Sequence, residues 1–192
     1  TQQRFIRKIH GQSIRLSDLV SELLALSRLE SNDAAFNTQV DLQLIVQRVC
    51  DNLQAVAQGH QVILDLDTKG QPIMLLGDEN ALSQMVTNLV DNAIKYTPAM
   101  GHVHVVIEVD ASTALLSIKD DGIGIDEANQ ERIFERFYRV DKARSQLLGG
   151  TGLGLAIVKH IVQSHKGSLQ LKSKLNQGSI FVIKIPLASD VN

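Results

Sequence analysis

The sequence holds one cysteine and three prolines, nearly balances its charges and has no long apolar run; each shortage narrows what the chain is. A lone Cys50 excludes an internal disulfide, and no Cys/His spacing of the zinc type accompanies it, so a reducing compartment is the expectation. Against 21 Asp+Glu stand 19 Lys+Arg, a formal net charge of −2, which offers nothing to bulk nucleic acid or to an anionic membrane surface. No apolar stretch approaches the roughly 18 residues of a spanning helix, so we expect no membrane crossing. With 192 residues and 44% hydrophobic content, the length suits one full domain with a proper core plus an appendage. The first residue is Thr1, with neither Met nor a signal-peptide pattern, and the chain is expected to be part of something longer.

The shortage of proline is most telling at the start, where none occurs before Pro72. Phe5, Ile9, Leu16, Leu19, Leu23 and Leu26 follow a 4-3-4-3 rhythm, broken only at Gln12. That spacing predicts one long helix over Thr1–Ser31, about 45 Å at 1.5 Å per residue, with a bundle or coiled-coil seam that needs partner helices. Beyond the polar stretch Ser31–Asn37, helical and strand periods alternate. We expect a strand at Thr38–Val40, a helix over Leu42–Gln58, strands at Gln61–Asp67 and Ile73–Leu76, and a helix over Glu79–Tyr96 stopped by Thr97–Pro98. A hairpin (His102–Val109, Ala114–Lys119), a glycine-rich loop (Asp121–Gly124), a short helix near Glu131–Tyr138 and a flexible stretch Asp141–Gly150 follow. A helix over Leu153–His165 and a hairpin (Ser168–Lys174, Ser179–Pro186) turned at Asn176–Gly178 complete an α/β sandwich whose strands mostly pair with sequence neighbours.

Four segments stand out, each with an ordinary explanation when taken alone. In Asn88–Tyr96 (NLVDNAIKY), Asn88, Asn92 and Lys95 line one ridge of a helix whose other face carries Leu82, Val86, Leu89 and Ala93. Asn is a poor interior helix former, and two of them four apart suggest amide oxygens for Mg²⁺, with an ammonium for phosphate. A solvated helix face explains the ridge equally well. In Asp120–Ile125 (DDGIGI), a carboxylate follows a strand directly and can accept from an adenine amino group, while Gly122 and Gly124 permit close backbone approach. Alone, an ordinary Asp-Gly turn is the better account. Gly149–Lys159 (GGTGLGLAIVK) sets glycines before a helix N-terminus, as a phosphate cradle would, yet it fits neither the Rossmann nor the Walker pattern. A flexible loop capping a helix explains it too. In Glu131–Asp141 (ERIFERFYRVD), Ile133, Phe134 and Phe137 are read as core anchors, and Arg139, Lys142 and Arg144 as a cationic arm able to reach a triphosphate, with Lys142 equally a solvated charge.

In this order and at these separations, the four segments resemble the N, G1, F and G2 boxes of sensor histidine kinase catalytic domains, the ATP-binding fold shared with gyrase B, Hsp90 and MutL. The likeness runs from about Thr38 to Leu187 and includes Gly178–Ser179–Ile180–Phe181, similar to the family's late Gly-Ser/Thr-x-Phe strand. Asp18–Ser31 looks like the second helix of the dimerisation and phosphotransfer hairpin, and Arg136–Ser145 with Gly149–Ile161 is closest to phosphate-responsive sensor kinases. The resemblance implies an α+β fold: a two-layer sandwich of the Bergerat type, its mixed, mostly antiparallel sheet covered by helices and preceded by one long helix. It implies a partial dimerisation domain over 1–31 and an ATP-binding catalytic domain over 32–192.

It further implies ATP and Mg²⁺ as cofactors, with Asn88 and Asn92 at the metal end, Asn92 the direct ligand, and Lys95 and Tyr96 lining the nucleotide. Asp120 would recognise the adenine amino group and Gly122 and Gly124 shape its pocket, with the Ser179 hydroxyl holding adenine through water. Arg139 and Arg144 would contact phosphate, and Gly150, Thr151, Gly152, Leu153, Gly154 and Leu155 belong to the ATP lid. Expected partners are a response regulator receiver domain and a second copy through the helical hairpin; a cytoplasmic location is expected, with any inner-membrane anchor lying upstream.

One departure matters. The family's phosphoacceptor His is followed by an acidic residue and, a few places on, by Pro; His10 is followed by Gly11 and Gln12, so it does not match. His102 and His104 alternate along one strand and read as a hairpin face; His60, His160 and His165 support nothing. Hsp90-like and MutL-like hydrolases set a Glu four residues before the Mg²⁺ Asn, where this chain has Asn88, an amide that cannot take a proton from water. Asp91 lies about 100° round the helix from Asn92 and does not replace that base. This favours phosphoryl transfer to a protein side chain, with a conformational ATPase or a silent nucleotide-binding module as the alternatives.

Overall fold

The computed structural model of the chain describes Ser13, Leu16, Ser17, Leu19, Val20, Leu23, Leu24, Ser27, Phe36 and residues 38–140 and 151–188. In chain order the elements are β1 (Gln39–Asp41), α1 (Leu42–Gly59), β2 (Ile63–Thr68), β3 (Met74–Leu76), α2 (Glu79–Tyr96), β4 (His102–Asp110), β5 (Thr113–Asp120), α3 (Gly154–Ser164), β6 (Ser168–Ser173) and β7 (Ser179–Pro186). Strict alternation along β4 and β5 buries Val103, Val105 and Ile107 against Ala114, Leu116 and Ile118, and turns His102 and His104 outward. The central sheet has the order β2-β4-β5-β7-β6, antiparallel except for the parallel β2–β4 pair; β1 and β3 form a separate two-stranded ribbon. Two of its joints, β2–β4 and β5–β7, therefore link strands that are not sequence neighbours. The apolar faces of the three helices cover its inner side, completing the two-layer α+β sandwich that the resemblance implies.

Local chemistry sets the helix ends. The Asp41 carboxylate caps α1 by accepting from Gln43 and Leu44 N–H, and also takes the Ile73 N–H at 3.1 Å, tying the helix start to the ribbon. Asp78 caps α2 in the same way, through Asn80 and Ala81 N–H. At the far end Thr97 returns its hydroxyl to the Ala93 carbonyl at 2.7 Å, and Pro98 prevents continuation.

Two expectations need correction. The segment Glu131–Tyr138 is not one short helix: it contains a 3-10 turn at Arg132–Phe134, preceded by another at Glu127–Asn129. Glu131 supplies no side-chain cap, Glu135 is already extended (ψ 145°), and Phe137 is left-handed (φ 62°), so no α-helical ladder can run through. For the same reason Phe137 is no core anchor. Ile133 is buried and Phe134 packs on the core, but Phe137 is 55% exposed. Of the early apolar stripe, Leu16, Leu19 and Leu23 are helical; Leu16 and Leu23 are exposed while Leu19 packs against the core, whereas Phe5, Ile9, Leu26 and also His10 lie outside the described residues.

His165, which fits no motif, has structural work. It is buried, its Nδ1 donating to the Ile161 carbonyl at 2.7 Å and its Nε2 accepting the Asp78 N–H at 3.2 Å, and Phe36 stacks on its ring. Accepting an N–H requires the neutral ring, and burial lowers its pKa in the same direction. Among the described residues no helix is long and apolar enough to cross a membrane.

Candidate functional site

The site begins on the polar side of α2. From Ala81 to Thr97 no residue is exposed: pairs of buried residues alternate with pairs of half-buried ones, and the half-buried set includes Asn88, Asp91, Asn92, Lys95 and Tyr96. This polar helix face is half-buried rather than fully solvated, and it forms one wall of a candidate groove beside the start of α3. Asn88 Nδ2 donates to the Gly154 carbonyl at 3.2 Å, so the start of α3 is seated beside α2. Lys95 Nζ lies 2.6 Å from Asp91 Oδ2, and each side chain is 28% exposed.

Eight residues along α2, about 12 Å at 1.5 Å per residue, separate Asn88 from Tyr96, where the second end of the groove is built almost wholly from backbone. Ile123 N–H donates to the Tyr96 carbonyl at 3.2 Å, bringing the glycine-rich loop against the end of the helix. A Cβ on Gly122 would stand 2.6 Å from that carbonyl oxygen and 2.7 Å from Asp120 Oδ1. Gly124, at φ 64°, would place a Cβ 1.9 Å from the Lys174 carbonyl oxygen, so this loop and the β6–β7 turn touch as only a glycine permits.

Asp120 ends β5 at 6% exposure. Its Oδ1 accepts the Gly122 N–H at 2.9 Å and the Ser179 N–H at 3.2 Å. Among the described residues Oδ2 takes no hydrogen bond, which leaves it for a donor on a ligand. Burial pushes the carboxyl pKa above its ordinary value, and the two N–H donors work against that shift. Ser179 is buried, reaches Asp120 through its backbone, and shares its hydroxyl with Ser173 at 2.9 Å. Ser173 in turn accepts the Ile125 N–H at 2.8 Å and donates to the Gly178 carbonyl at 2.9 Å, clamping loop and turn together. Sequence reasoning passed over Ser173; its signal is the register, in which Ser173 stands directly opposite Ser179.

At the phosphate-cradle segment, Phe137 N–H donates to the Gly152 carbonyl at 2.9 Å, and Gly152 (φ 81°) admits the approach. Thr151 Oγ1 accepts the Leu153 N–H at 3.3 Å. Leu153 is fully buried and Leu155 packs on the core, so what Leu153 offers a ligand is backbone, and as N-cap of α3 it supplies no side-chain cap. Gly154 opens that turn beside Asn88. Arg139 is half-buried after Tyr138. Arg144, Gly150 and the rest of Asp141–Gly150, Lys142 included, lie outside the described residues. His102 and His104 are both exposed, with His102 Nδ1 3.4 Å from Asp121 Oδ2; among the described residues no three His, Cys, Asp or Glu side chains form a metal cluster.

A sandwich of this topology with an amide-bearing helix, a buried strand-end carboxylate and a glycine-led helix start is matched by one family model. Residues 77–189 match the histidine kinase-, DNA gyrase B- and HSP90-like ATPase family, and the chain belongs to it. Within it the chain carries a histidine-kinase-type ATP-binding catalytic domain, and the curated relatives named next are sensor histidine kinases. It is 41% identical over 187 residues to the sensor-like histidine kinase SenX3 of Mycolicibacterium smegmatis (97% of this chain, 48% of that protein). It is 37% identical over 179 residues to the phosphate regulon sensor protein PhoR of Pseudomonas aeruginosa (93% of this chain, 40% of that protein). The crystal structure of full-length ShkA in complex with AMPPNP superimposes with a TM-score of 0.82 at 26% identity, covering 100% of this chain and 40% of that one. The chain thus spans about half or less of the curated relatives it matches.

Proposed function

We propose that the chain binds ATP with Mg²⁺ and transfers its γ-phosphoryl group to a histidine on the first helix of a hairpin whose second helix is residues 1–31, residues 32–192 being the catalytic domain. The bond from the γ-phosphorus to the bridging oxygen breaks, a phosphorus–nitrogen bond forms at the imidazole, and ADP leaves. The histidine then passes the group to an Asp of a response regulator receiver domain, in a protein that dimerises through the hairpin.

The observation that carries this reading is the pairing of the two ends of α2. At the Tyr96 end, the unoccupied acceptor of buried Asp120 sits where an adenine amino group can donate, on a floor shaped by Gly122 and Gly124, with Ser179 steadying the carboxylate. At the Asn88 end, the amide oxygens of Asn88 and Asn92 are hard donors of the kind Mg²⁺ takes a few of, keeping waters and phosphate oxygens for its remaining positions. Asn92 is the direct ligand; the cation would supply charge for the developing phosphoryl transfer. Uncapped N–H groups of the first turn of α3, with Thr151, Gly152, Gly154 and Leu155 around them, face the phosphates, and Arg139, Arg144 and Gly150 complete the lid. Asn88, bonded to Gly154, is a tie between helices and supplies no base for water, which favours transfer over hydrolysis.

Radiolabelled ATP tests the reading. Incubated with a fragment carrying the acceptor helix, the chain should place acid-labile label on that fragment and little on itself, and Asn92→Asp should impair the transfer. Steady release of inorganic phosphate with no labelled fragment would favour the conformational ATPase instead.

A further inference from the structure

The ion pair on the groove face of α2 has no place in the reading above. Lys95 sits about one turn from Asn92 and two turns from Asn88, yet its ammonium is already committed to Asp91 at 2.6 Å, with both side chains only 28% exposed. Asp91 lies one turn from Asn88 and one residue, about 100° round the helix, from Asn92, so a carboxylate borders the amide ridge as well as pairing with the cationic side chain. A half-buried pair is screened less than a surface one, and its net charge is close to zero. The positive charge that α2 would otherwise present to phosphates is cancelled before a nucleotide arrives.

We propose that Asp91 is a specificity-determining residue that makes the site demand a divalent cation with its nucleotide. Metal-free ATP brings several negative charges to a groove whose ammonium is neutralised and whose carboxylate repels it. ATP complexed with Mg²⁺ brings a cation that the same carboxylate attracts, directly or through a metal-bound water. Asp91 acts through Lys95 and the arriving charge; it is a positioning residue and touches no reacting atom. The inference rests on the nucleotide reading of the groove, and the experiment separates the two.

The dissociation constant for ATP is measured by titration calorimetry in excess Mg²⁺ and again in EDTA, for the unaltered chain, Asp91→Asn, Asp91→Glu and Asp91→Asn combined with Lys95→Gln. Asp91→Asn should narrow the ratio of the two constants by about tenfold, chiefly by tightening metal-free binding, the size expected for removing one charge several ångströms from the phosphates at a partly screened site. Asp91→Glu should keep the ratio, and the added Lys95→Gln should return metal-free affinity to its starting level, because the gain comes from the freed ammonium. An unchanged ratio in Asp91→Asn, or a ratio that widens, overturns the proposal while leaving the groove reading intact. If the unaltered chain binds no ATP, or binds it indifferently to Asn92→Ala, the groove reading fails and this inference with it.

Discussion

The two ends of the groove are built by different means. At the Asp120 end, positions are set by backbone against backbone: Gly124 against the Lys174 carbonyl, Gly122 against Tyr96, and Gly178 with a would-be Cβ 2.0 Å from the Asp120 carbonyl oxygen. At the Asn88 end, the contacts among the described residues include a hydrogen bond from the Asn88 amide to Gly154 and an ion pair within one helix. Backbone contacts of the first kind cannot yield without moving strands of the central sheet, whereas side chains of the second kind can rotate. A planar base needs a fixed wall with one acceptor; a flexible chain of phosphates with a hydrated cation needs ligands that can adjust. The contrast is what a nucleotide site requires, and each end can be broken separately.

The largest effect should come at the rigid end. Gly124→Ala places a methyl 1.9 Å from a carbonyl oxygen at φ 64°, so clash and backbone strain add, and we expect a loss of about 3 kcal/mol or more in denaturant unfolding. A stability loss below about 1 kcal/mol would show that the wall is softer than its geometry implies. Asp120→Asn comes next and should act chiefly on binding. The amide oxygen can still take the Gly122 and Ser179 N–H bonds, while the amide nitrogen turns a donor toward the ligand; adenine nucleotide affinity should fall by roughly 1.5–3 kcal/mol in calorimetry. Because the native carboxyl holds its proton more tightly than the unfolded one, ionising it costs stability as pH rises through the window above its ordinary 3.8, and the Asn variant should lack that slope and melt no lower than the parent at neutral pH.

At the adaptable end, Asn88→Ala removes the tie to α3 and should cost about 1 kcal/mol in unfolding, with hydrogen exchange rising at the start of α3 and unchanged along β5. Exchange that rises equally at both ends would erase the distinction between them. The smallest effect lies outside the groove. His165 gives up its proton more readily folded than unfolded, so the protein should lose stability as pH falls below the ordinary 6.5 of histidine, when protonation abolishes the bond from Asp78 N–H. His165→Leu should flatten that part of the melting-temperature profile, measured as the difference between parent and variant.

The legibility of this chain followed the range of the interactions. Helix α2 was readable to its last residue, because the apolar repeat and Pro98 are local signals. The hairpins β4–β5 and β6–β7 were readable for the same reason, from alternation and turn residues. The Glu131–Tyr138 segment misled because its aromatic spacing imitates a helix, while its conformation answers to Gly152, which meets the Phe137 backbone from fifteen residues away. The roles implied for Asn88, Asn92 and Asp120 came from a resemblance carried by four motifs together, each of which had an ordinary explanation singly.

What the amino-acid sequence determined by itself is the set of elements, the absence of a disulfide and the order of the motifs, since these depend on neighbours within a few residues and on covalent composition. Tertiary structure alone decided that Ser173 clamps Ser179, that His165 is held neutral under Phe36, and that one oxygen of Asp120 takes both the Gly122 and the Ser179 N–H groups. The register of β5 against β7 brings Asp120 opposite Ser179, fifty-nine residues along the chain; burial at that joint, a property of the assembled sheet and helices, then raises the carboxyl pKa.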